Sequence, residues 1–178
     1  PLYDLDKLNN ISSEVIYNTP LEDNVNNLLE WAREFNNSDY IRFSSNIDFV
    51  RQIFKTQGPD SNEHRKDLAH YSDFINCFGF LYDDYFNSTD YKEALYENVS
   101  QEDLPVLANA LVNYFEEAKN GSEKTMKELS KELNYTDKKK YQKDPSLYRG
   151  VITEFYHALR IMVTHKVSGI SIDDVISV

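Results

Sequence analysis

Five polar side chains fall within a short stretch near the end of the chain: Glu154, His157, Arg160, Thr164 and His165. Two of the protein's four histidines are among them. Histidine is the side chain whose ordinary titration lies near neutral pH, and a carboxylate beside it can hold it in one tautomer. An arginine in the same group can stabilise the charge of a phosphate-like transition state. These residue types together point to proton transfer at a phosphoester. On a helix running from about Asp144 to Val167 the five residues share one arc, and Val151, Phe155, Leu159, Met162 and Val163 lie opposite. Glu154 and His157 are three apart, as are His157 and Arg160, so neighbours can touch.

The run Arg160-Ile161-Met162-Val163-Thr164-His165 resembles the Arg-x(4–6)-His signature of the HEPN helical ribonuclease superfamily. The resemblance implies metal-independent RNA cleavage by Arg160 and His165, with His157 nearby, at a site where two copies of the motif meet across a homodimer. It covers six residues in a compatible helical setting. Ile161 departs from the polar residue that often follows the family's arginine. A second match, Arg65-Lys66-Asp67-Leu68-Ala69-His70, lies earlier in the chain.

Other groups have plainer readings. His64, Asp67, His70 and Asp73 follow one another at intervals of three. A helix turn can supply two metal ligands from such a series, but a catalytic metal needs at least three protein ligands. The series therefore reads as solvated surface, and no metal or cofactor is expected. Residues 124–143 have the pattern of a helix-turn-helix DNA-binding regulator. Leu129 and Leu133 would face inward, Thr136 would cap a second helix, and Lys138, Lys139, Lys140 and Lys143 would reach a groove. Asp144-Pro145 cuts that second helix to about seven residues. There is no phosphate-cradling glycine-rich loop, no G-x-S-x-G elbow and no H-E-x-x-H. The lone Cys77 reads as a small buried apolar residue.

The elements that position these groups are helical. The 178 residues include only 5 Gly and 5 Pro, and apolar spacings are three and four nearly everywhere, so the expected fold is all-α, an irregular bundle of six or seven helices in a single domain over 1–178. Thr19-Pro20-Leu21-Glu22 marks one helix start. A second helix is expected over about 39–55, and an aromatic-rich one carries Leu68, Phe74, Phe78 and Tyr85. A nearly apolar face spans 103–118. Phe74, Phe78, Leu107, Leu111, Phe115, Phe155 and Leu159 are expected in one core. The start without Met reads as a tag scar or a fragment of a longer protein.

Net charge is −11. Such a surface repels phosphates at long range and draws in basic partners. The reading that follows is a non-enzymatic, cytoplasmic regulatory domain that engages a protein partner, itself a basic nucleic-acid-binding protein. Asp83, Asp84, Tyr85, Asp90 and Tyr91 are its expected binding anchors. Direct nucleic-acid binding is disfavoured on this reading. No apolar run is long enough to span a bilayer.

Overall fold

The computed structural model describes residues 4–61, 64–89 and 99–178. The described residues are all-α apart from one two-residue strand pair. They group into two compact units, residues 1–82 with 177–178, and residues 83–176. No helix among them is long and apolar enough to cross a membrane.

The first unit holds α1 (Leu5–Asn18), α2 (Leu21–Phe35), α3 (Asn37–Ser45), α4 (Ile47–Lys55) and α5 (Phe74–Phe78). The side chain of Asp4 opens α1 by accepting the Lys7 N–H at 3.0 Å. Of α1 only Ile16 is buried, while Leu5, Leu8, Ile11 and Val15 are exposed. The expected cap at Thr19 takes another form. Its hydroxyl donates back to Val15 O at 2.7 Å, and Pro20 is the residue preceding α2. The helix expected over 39–55 breaks at Asn46, whose side chain accepts the Phe49 N–H at 3.1 Å and so caps α4. Ser44, Ser45 and Asn46 compete with the helical backbone for hydrogen bonds, and the chain turns there.

The core of this unit is aromatic. Phe74 sits 5.1 Å from Phe43 edge-on, 5.3 Å from Phe54 and 5.2 Å from Phe78, all buried. The long aromatic helix expected here is absent. Short 3-10 turns at Tyr71–Asp73 and Gly79–Leu81 flank α5. Ahead of them Asp67 is held by Arg65 through two bonds of 2.7 Å and by Gln57 at 2.9 Å, which fixes 64–70 as an irregular strap. Cys77 is half-buried, with its thiol 3.5 Å from Asp67 O.

The second unit holds α6 (Asp83–Ser88), α7 (Leu104–Lys119), α8 (Met126–Glu132), α9 (Lys138–Lys143), α10 (Ile152–Thr164) and all but the last residue of α11 (Ile172–Ser177). Strands β1 (Tyr135–Thr136) and β2 (Gly150–Val151) pair in parallel, Tyr135 opposite Gly150 and Thr136 opposite Val151. Thr125 and Glu128 form a reciprocal cap for α8: Thr125 Oγ1 accepts the Glu128 N–H at 3.2 Å, and Glu128 Oε2 accepts the Thr125 N–H at 2.8 Å. The core gathers Leu107, Leu111, Met126, Phe155, Leu159 and Ile161. The residues expected in one core are thus divided. Phe74 and Phe78 pack in the first unit, the others in the second, and Phe115 is half-buried at the rim.

Candidate nucleic-acid interface

The terminal helix is shorter than its sequence pattern. Residues 145–147 form a 3-10 turn, β2 follows, and α10 begins only at Ile152. Glu154 accepts the Val151 N–H at 3.0 Å, so it caps the helix start instead of facing a histidine. At the other end His165 adopts a left-handed conformation, φ 55°, and donates its N–H to Ile161 O at 2.8 Å. It ends the helix, so His165 leaves the arc, while Glu154, His157, Arg160 and Thr164 remain on α10. The His165 ring stacks on Phe86, centroids 4.1 Å apart. The Arg160 guanidinium donates to Gly169 O at 2.7 Å and to Ile170 O, pinning the turn after α10. His157 is half-buried on α10. The motif's residues are therefore spent on a helix terminus and its following turn.

The other expected site residues lie on other elements. Asp83 and Asp84 are exposed in the first turn of α6 and Tyr85 is half-buried; Asp90 and Tyr91 lie outside the described residues. His64 is left-handed, φ 49°, with Nδ1 2.9 Å from Pro59 O, and His70 Nδ1 lies 3.3 Å from Asp73 Oδ2. No cluster of three metal-ligating side chains forms among the described residues.

The structure does assemble one feature from the lysine-rich stretch. A loop, residues 137–149, leaves β1 and returns to β2, so the parallel ladder closes its base. Parallel strands need such a crossover of a dozen or so residues. Asn134, left-handed at φ 64°, accepts the Arg149 N–H at 3.0 Å and donates from its amide to Leu147 O at 2.6 Å. Arg149 also pairs with Asp103, just before α7. Gly150 fits tightly. A Cβ there would stand 3.0 Å from Tyr135 Cε1 and 3.1 Å from Glu154 Oε2. The Tyr135 ring rests 5.2 Å from Phe155, and burial, reinforced by Asp103, pushes its phenol up to about 12.

On this base sits α9, one and a half turns that bury no side chain. Asp137 caps it by accepting the Lys140 N–H at 3.0 Å, a bond that holds its carboxyl below the usual range. Lys138, Lys139 and Lys143 are exposed and make no ion pair among the described residues; Lys140 lies 3.6 Å from Asp137. A helix this short, capped at Asp137 instead of Thr136 and following a strand, is not the second helix of a helix-turn-helix. Charge is segregated along the chain. Residues 124–166 carry ten Lys and Arg against five Asp and Glu, within a protein of net charge −11.

Comparison with known proteins gives a consistent relative. The chain is 26% identical over 171 residues to the glutamate-tRNA ligase of Acetivibrio thermocellus, an alignment covering 94% of this chain and 31% of that protein. It is 28% identical over 179 residues to the glutamate-tRNA ligase of Clostridium perfringens, covering 93% of this chain and 31% of that protein. The Clostridium beijerinckii enzyme of the same name aligns at 26% identity over 94% of this chain. The chain thus spans about a third of the length of these relatives. No family model matches, and no solved structure matches. These similarities overturn the expectation of a non-enzymatic regulatory domain that binds a basic protein. They equally displace the ribonuclease and DNA-regulator alternatives, and the expectation that disfavoured direct nucleic-acid contact. Net charge sums over the whole chain, whereas residues 124–166 by themselves carry more basic than acidic side chains.

Proposed function

We propose that this chain is a tRNA-binding helical region of a glutamate-tRNA ligase-like cytoplasmic protein, with the 137–149 loop lying along the RNA backbone. Similarity to tRNA ligases along 93–94% of the chain carries this reading. Such a ligase must both join an amino acid and hold a tRNA. The chain corresponds to 31% of the relatives' length, and its exposed cations suit the second task. Lys138, Lys139 and Lys143 are point charges on a closed loop, without an ion pair among the described residues. The screening length at physiological salt is about 8 Å, so phosphates near α9 sense the local charge of this loop more than the net charge of the chain.

Fluorescence anisotropy of a labelled tRNA-Glu transcript tests the proposal. Binding should weaken steeply as salt rises, because neutralised phosphates release counterions. Replacing Lys138, Lys139 and Lys143 together by Ala should reduce the log–log salt slope by about three, at about one unit per phosphate contact. The loss should be uniform across tRNA sequences, since phosphate contacts carry no base information. No binding of the parent at low salt, or an unchanged slope in the triple variant, would refute it.

A further inference from the structure

Asn120-Gly121 is the one Asn-Gly pair in the sequence. It follows the last residue of α7, and Asn120, Gly121 and Ser122 are all exposed. The pair closes the helix through its backbone. Gly121 is left-handed, φ 87°, and donates its N–H to Ala118 O at 3.0 Å. The N–H of Ser122 reaches back to Glu117 O at 3.0 Å. Together these two bonds make a Schellman ending, which satisfies carbonyls the helix would otherwise leave open. The Asn120 side chain adds a third bond, its amide donating to Glu116 O at 2.8 Å.

The same atoms are the parts of a reaction. The Gly121 nitrogen is a nucleophile that closes a five-membered ring when it attacks Asn120 Cγ, and glycine has no Cβ to obstruct the approach. Beyond its chain neighbours, nothing among the described residues stands within 4 Å of where a Cβ on Gly121 would lie, so solvent reaches this side of the turn. The closed cap withholds every part. The hydrogen on the Gly121 nitrogen is engaged by Ala118 O, and the Asn120 amide is held at Glu116 O. Asn120 has ψ 11°, which turns the Gly121 nitrogen away from the Asn120 side chain. Ring closure needs that nitrogen nearly eclipsed with Cβ.

We infer that Asn120 is a site of spontaneous deamidation that the cap of α7 holds shut, so that modification registers opening of the cap. When the cap opens, the Gly121 nitrogen gives its proton to a solvent base and its electron pair bonds to Asn120 Cγ. The Cγ–Nδ2 bond breaks, and that nitrogen leaves as ammonia after taking a proton from water. Water then adds to either carbonyl of the cyclic imide and breaks one ring C–N bond, leaving an aspartyl or an isoaspartyl residue. One water is consumed and one ammonia released overall. The product carries a carboxylate at the C-terminal end of α7, where the macrodipole disfavours negative charge and the exposed Glu116 and Glu117 already stand. The isoaspartyl form also lengthens the main chain by a methylene, so the Schellman bonds are not restored. Lys124 pairs with Glu117 at 3.5 Å and with Glu132 of α8 at 2.8 Å, so a frayed last turn weakens the tie between these two helices.

The parent protein is kept at mildly alkaline pH in buffer and, in parallel, in unfolding urea, and samples are cut with trypsin after Lys119 and Lys124. The 120–124 peptide separates into asparaginyl, aspartyl and isoaspartyl forms, the last two heavier by the exchange of an amide NH2 for OH. Conversion in buffer should be slower than in urea by about tenfold or more, a factor set by the fraction of time the cap is open. The isoaspartyl form should accompany the aspartyl one, because water opens the imide on both sides. The isoaspartyl protein should show faster amide exchange over 117–122 than the parent. Asn120→Gln, which would have to close a six-membered ring, should convert far more slowly in urea. Equal rates in buffer and urea would overturn the gating by the cap. Absence of the isoaspartyl form would overturn the imide route, and a peptide that stays unchanged in urea would overturn the site itself.

Discussion

Gly150→Ala offers a direct test of how the lysine loop is held. The new Cβ would meet Tyr135 Cε1 at 3.0 Å and Cδ1 at 3.3 Å, and Glu154 Oε2 at 3.1 Å. Neither neighbour yields easily, since Tyr135 is buried against Phe155 and the Glu154 carboxylate is engaged with the Val151 N–H. Overpacking of this kind costs about 1–3 kcal/mol. Displacing the Glu154 cap adds about 1 kcal/mol. Restricting the unfolded chain by losing a glycine returns about 0.4–1 kcal/mol. The net expectation is destabilisation by about 2 kcal/mol, read from the urea midpoint by circular dichroism at unchanged m. Repeating the substitution on a Glu154→Ala background should recover about 1 kcal/mol of that penalty, because the cap is then already gone. A Gly150→Ala protein as stable as the parent, or a cycle without coupling, would show that the ring and carboxylate do not close on this glycine.

Further expectations follow from the same unit. The Tyr135 phenol is pushed up to about 12 by burial, so the unfolded chain loses this proton first, near pH 10. Stability should be full below about pH 10 and fall as pH rises toward about 12; Tyr135→Phe should flatten that part of a pH–denaturation series. Arg160→Met should loosen the turn after α10 and cost about 1.5–3 kcal/mol through the two carbonyls it leaves, measurable as faster amide exchange at 169–172. Phe155→Ala should cost about 3–5 kcal/mol in thermal or urea unfolding. Phe115→Ala should cost clearly less, since Phe155 is fully buried and Phe115 is not.

The long amphipathic helices were readable because burial on one face imposes their period. α2, α7 and much of α10 lie close to where Leu28, Leu107 and Phe155 place them. α1 was not readable in this way, since most of its apolar residues face outward and only Ile16 contributes to a core. The breaks at Asn46 and His165 depend on local competition between side chain and backbone, which periodicity does not register. The lysine run was visible, but it was weighed against a charge summed over the whole chain. The approach of Lys66 to the Tyr17 ring could not have been found by spacing at all, because the two belong to distant segments brought together by the fold.

The short parallel ladder has a consequence for how this protein can vary. Because Tyr135 and Thr136 meet Gly150 and Val151 directly, the ends of the 137–149 loop are fixed whatever its middle contains. Closing a loop grows only slowly more costly with its length, so residues inserted near its tip would leave Phe155 and its neighbours undisturbed. Substitution within α9, which buries no side chain, is equally free of the core. The number and spacing of surface cations can therefore drift between descendants of this sequence without endangering folding, and the charge of this loop becomes a trait that selection can adjust by itself.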